Sequence, residues 1–152
     1  MPEDERERLN RELIELLNEL RVALPGVQVL FAFLLAVPFA NGFPRLGKLD
    51  RDVFFAAFIA TALSTVFLIA PSSYHRIHFR RHDKERLLTT SSRLALAGTV
   101  FLALAIAGVV FLITDILYRV AVAASITAVA AAWFAWLWYG LPLRTAYLDR
   151  RR

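Results

Sequence analysis

Apolar residues along the chain gather into four long runs, at about 22–40, 53–70, 94–114 and 120–141, and polar residues are confined to the gaps and ends. Each run approaches the roughly 20 residues that an α-helix needs to cross about 30 Å of hydrocarbon. A soluble helical domain would instead interleave polar positions through every helix. The pattern predicts an all-α fold, an integral membrane four-helix bundle in a single membrane domain over residues 1–152, with spans at about 24–41, 53–70, 94–114 and 119–141.

The segments between the runs predict their own structure. Residues 1–23 read as an N-terminal amphipathic cytoplasmic helix, with Leu9, Leu13, Leu16 and Leu20 on one face and Glu or Arg over most of the rest. Such a helix either lies on the membrane surface or docks beneath the bundle. Pro25-Gly26 predicts a bend before the first span, and Pro38 a kink inside it. Pro71 is expected to stop the second span. Ser72 and Ser73 then offer a cap for a cytoplasmic helix over about 74–86, and residues 89–92 a second cap before the third span. The third and fourth spans are separated only by the few residues around Asp115–Arg119, which predicts a tight hairpin.

Charge then orients the chain. Lys and Arg number four in residues 1–23, six in 72–93 and four in 144–152, whereas the opposite side holds only Arg45, Lys48, Arg51 and Arg119. By the positive-inside rule both termini and the basic 72–92 segment face the cytoplasm. The same distribution accounts for a net charge of +5 without nucleic acid as a partner. Arg76, Arg80, Arg81 and Lys84 are expected to meet anionic lipid headgroups. The charged N-terminus lacks the apolar core of a signal peptide, so the first span is expected to direct insertion. With no cysteine, disulfides and thiolate metal sites are excluded.

Small residues recur every four positions on three of the runs: Ala56, Ala60 and Ser64; Ala95, Thr99, Ala103 and Ala107; Ala123, Thr127, Ala131 and Ala135. Lipid supplies little drive for helices to associate, so such stripes mark close packing, and a homo-oligomer is expected. Trp133, Trp136, Trp138 and Tyr139 sit toward the cytoplasmic end of the fourth run, where aromatic side chains anchor at the interface.

Candidate chemistry is sparse. The middles of the second, third and fourth runs hold no ionisable residue, and no pair of carboxylates is evident within the spans. Asp115 is four residues before Arg119, at ion-pairing distance if the helix persists between them. Gln28 is the most polar residue in the first run, where it is expected to bond a neighbouring helix. A polar or ionic path, if one exists, would draw on Glu19, Arg21, Gln28, Asp115 and Arg119. His75, His78 and His82 share one helical face. They are the only metal or pH-sensing candidates, but surrounding cations disfavour both roles, and the expectation is that no metal binds. No catalytic motif is present, and neither an enzymatic activity nor a cofactor is expected.

The stretch ELRVALPGVQVLFAFLLAVPF over 19–39, together with Tyr74-His75-Arg76 and the basic residues through Arg86, resembles a family of small actinobacterial four-span membrane proteins of unknown function. Some members of that family are automatically labelled sodium/proton antiporters. The resemblance covers most of the chain and implies the fold and a membrane location, with no established catalytic or transport residue.

Two functional readings follow. The first is a small inner-membrane protein with a structural, regulatory or partner-binding role. The second is an oligomeric ion channel or cation/proton antiporter in which several subunits build one polar path.

Overall fold

The computed structural model of the chain describes residues 3–78, 84–141 and 144. It is all-helical among those residues, with α1 at Glu3–Ala36, α2 at Lys48–His78, α3 at Lys84–Leu117 and α4 at Val120–Phe134. Short 3-10 turns at Val37–Phe39 and Phe43–Arg45 carry the chain from α1 to α2, and a π-helical turn, Ala135–Gly140, extends α4. All four helices, α4 taken together with its π-helical turn to Gly140, are long and apolar enough to cross a membrane. They divide into two compact units: Met1–Arg45 with Phe58–Leu102, and Leu46–Ala57 with Ala103–Arg152. Both α2 and α3 contribute to each unit, while α1 belongs to the first and α4 to the second.

In the first unit, α1 is one continuous helix of 34 residues rather than a surface helix and a span joined by a bend. Leu13, Leu20, Val27 and Leu34 recur every seventh position and are all buried. A seven-residue repeat holds one straight seam against a neighbour. That seam runs past Pro25, which is exposed. Proline removes one backbone hydrogen bond and crowds one carbonyl, a local cost that packing on the opposite face outweighs. Pro38, expected to kink the span, falls instead in the 3-10 turn that ends it.

Pro71 does not stop α2 either. It is fully buried next to the equally buried Leu68, and the helix continues to His78. Ser72 and Ser73 consequently lie inside α2, and residues 89–92 lie inside α3, so neither group caps a new helix. Helical hydroxyls can turn to a carbonyl of their own helix, which removes the need for a chain break. Thr65, Thr99, Thr114 and Ser125 each donate to such a carbonyl.

The first unit is closed by Leu20, Val27, Leu68 and Ala95, with Leu16, Leu24 and Leu102 against them. Phe31 stacks on Phe58 and Phe67 on Phe101, with ring centroids 5.3 and 5.4 Å apart. Between α2 and α3 the backbones approach closely at Gly98, where a Cβ would fall 2.6 Å from Leu68 Cδ2 and 3.2 Å from the Leu68 backbone nitrogen. Ser64 Oγ donates across this crossing to the Gly98 carbonyl at 2.8 Å. In the second unit, Gly108 provides an equivalent approach: a Cβ there would lie 2.9 Å from Ala57 Cβ. Ala123 is the buried residue of α4. Its π-helical end lets the Trp136 ring lie over Gly140, where a Cβ would come within 3.1 Å of Cε3.

The glycines yield a comparison of opposite sign. Gly26→Ala meets open space and should stabilise the protein by up to about 1 kcal/mol through helix propensity. Gly98→Ala makes the same propensity gain but collides with Leu68, and overpacking of this kind costs about 1–3 kcal/mol. Thermal melts of the two variants in one detergent should move in opposite directions relative to wild type.

Candidate functional site

Asp115 lies in the last turns of α3 and Asp50 in the first turn of α2. The contact between Ala57 and Gly108 sets their relative height. Asp50 is seven residues before Ala57, and Asp115 is seven residues after Gly108. Seven residues make about two helical turns, so on antiparallel helices the two carboxyls arrive at one level on facing sides. Asp50 is thereby the acidic neighbour of Asp115.

Both aspartates are half-buried, and Asp50 Oδ1 is shielded from solvent with no hydrogen-bond partner. At Gly47 a Cβ would stand 3.4 Å from Asp50 Oδ2, an ordinary van der Waals contact. The arrangement brings two acidic side chains together at one end of the α2–α3 pair.

The expected ion pair between Asp115 and Arg119 does not form. Helix α3 ends at Leu117, and Arg119 is extended, with φ −140° and ψ 154°, so the four-residue helical spacing is broken before it reaches the arginine. Arg119 is exposed and uses its carbonyl to accept from the backbone N–H groups of Val122 and Ala123. Asp50, which had drawn no attention in the sequence, takes the place of the arginine.

The remaining candidates are placed less suggestively. Glu19, Arg21 and Gln28 are all exposed on α1, and Gln28 makes no bond to a neighbouring helix. Ser64 is the hydroxyl that reaches across helices, while Ser91 Oγ and Thr127 Oγ1 are buried without a partner. His75, Arg76 and His78 lie in the last turns of α2 and Lys84 begins α3, but their side chains fall outside the described residues, as do Arg80, Arg81 and His82 entirely. Among the described residues no cluster of three metal-ligating side chains occurs.

A family model described as a family of unknown function (DUF6328) matches residues 2–142, nearly the whole chain. No curated protein and no solved structure matches it. The extent of the family match is decisive for relationship and silent on activity: the chain belongs to the family of unknown function DUF6328.

Proposed function

We propose that the protein is a multi-pass protein of the bacterial cytoplasmic membrane with a structural, regulatory or partner-binding role rather than a catalytic one. The observation that carries this reading is the surface. Phe33, Phe39, Phe55, Val66, Leu104, Ile116, Val129 and Trp133 are all exposed, on every one of the four helices and the turns that end them. Water does not tolerate such continuous apolar surface, whereas hydrocarbon does, and a helix satisfies its backbone internally there.

Length and charge support the arrangement. A helix of 34 residues is about 50 Å long, well beyond the hydrocarbon thickness. The polar half of α1 then stands out of the membrane as a continuation of the first span, with Leu9 and Leu13 packed in its own unit. The basic segments around both termini and residues 72–93 support a cytoplasmic location for those parts, with Arg76, Arg80, Arg81 and Lys84 against anionic headgroups. The small-residue stripes support assembly into a homo-oligomer.

The Asp50–Asp115 pair favours a second reading, proton-coupled cation movement. Carboxyl groups are the usual carriers of protons and cations in transporters, and these two come together at the end of α2 and α3 opposite the basic segments.

Two measurements test these readings. Reporter fusions at residues 1, 80 and 152 should all report the cytoplasm, and a periplasmic signal at residue 152 would overturn the four-span topology. Purified protein in liposomes with an internal pH dye should show no sodium- or potassium-driven proton flux. Flux that disappears in Asp115→Asn or Glu19→Gln would replace the first reading with the second.

A further inference from the structure

Helix α1 carries two seams. The inner one, through Leu13, Leu20, Val27 and Leu34, is buried in the first unit. The second runs through Arg21, Pro25, Gln28, Ala32 and Leu35, at alternating spacings of four and three, and continues to Phe39 in the 3-10 turn that follows; every one of these residues is exposed. Alternation of four and three is the spacing that keeps one stripe facing a neighbouring helix.

Gln28 is the exceptional member. It lies seven residues beyond Arg21, about 10 Å along the helix and inside the apolar stretch. Its amide has two hydrogens to donate and a carbonyl to accept with, and no partner among the described residues. Lipid tails offer it none, and an amide left unpaired in hydrocarbon is strongly unfavourable.

We propose that the Arg21–Phe39 seam of α1 is a self-association face, on which Gln28 of one copy bonds Gln28 of a second. Symmetry selects this occupant. All copies insert with one orientation, so a closed pair is related by a two-fold axis along the membrane normal, and equal residues meet at equal depth. A primary amide is self-complementary: each donates to the carbonyl of the other. The residues on the stripe above Gln28 fit the same arrangement, since Ala32 lets the helices approach and Leu35 and Phe39 supply apolar contact. A single polar layer of this kind fixes the register of an otherwise apolar seam.

The face rests on the membrane reading, and the test separates the two. Full-length protein is reconstituted at low density in phosphatidylethanolamine/phosphatidylglycerol vesicles, and flotation and single-molecule photobleaching are read on one preparation. Wild type should float with the vesicles and bleach in two steps. Gln28→Leu should float equally and lose about tenfold in association, while Gln28→Asn, which keeps the amide, should stay near wild type. Because the chain has no cysteine, Ala32→Cys provides a clean background and should form a disulfide-linked dimer on oxidation. Protein that fails to float overturns the membrane reading. Protein that floats but bleaches in one step, or that dimerises undiminished in Gln28→Leu, overturns the face and leaves the membrane reading standing.

Discussion

The close approach of α2 and α3 is the constraint on which the rest of the structure depends. Between helices in lipid the hydrophobic effect contributes little, so association relies on van der Waals contact over short distances and on occasional hydrogen bonds. Gly98 allows one contact, against Leu68, and Gly108 another, against Ala57. At the first, Ser64 adds a hydrogen bond to the Gly98 carbonyl that no larger separation would permit. At the second, the register carries upward by two turns to bring Asp50 level with Asp115. Packing of two small residues thus determines where the ionisable groups meet.

The outer two helices depend on this pair in different ways. In the first unit, α1 adds a long buried seam of leucine and valine, which explains why a proline in its middle leaves it continuous. In the second unit, α4 buries Ala123 and otherwise presents apolar side chains outward, ending in a π turn whose Trp136 covers Gly140. Exposure of this kind is incompatible with water and natural in hydrocarbon, and it ties the packing directly to the proposed location.

Much of the architecture was legible from the residues. The four apolar runs are the helices because nothing else of that length and composition is stable, and the Leu13–Leu20–Val27–Leu34 repeat is visible in the letters. Local punctuation misled at Pro25, Pro71 and residues 89–92, where turn and cap preferences worth about 1–3 kcal/mol yield to packing along a whole helix face. The carboxyl pair was hidden for another reason. Asp115 stood out at the end of an apolar run, but Asp50 looks like an ordinary first-turn acid. Only the interhelical register, set by Gly108 on Ala57, makes them neighbours, and one sequence does not encode register in any local pattern. The same holds for Gln28: its polarity is plain from the letters, but the side it faces is a property of the folded helix.

Cysteine cross-linking of α2 to α3 in native membranes tests the register most directly, and the absence of native cysteine makes the result unambiguous. Disulfides form only where Cα atoms come within about 7 Å. Ala57→Cys should cross-link efficiently with Gly108→Cys and poorly with Leu104→Cys or Leu112→Cys, one turn to either side. Preference for either neighbouring turn would shift the helices past one another, separate Asp50 from Asp115 and contradict the account.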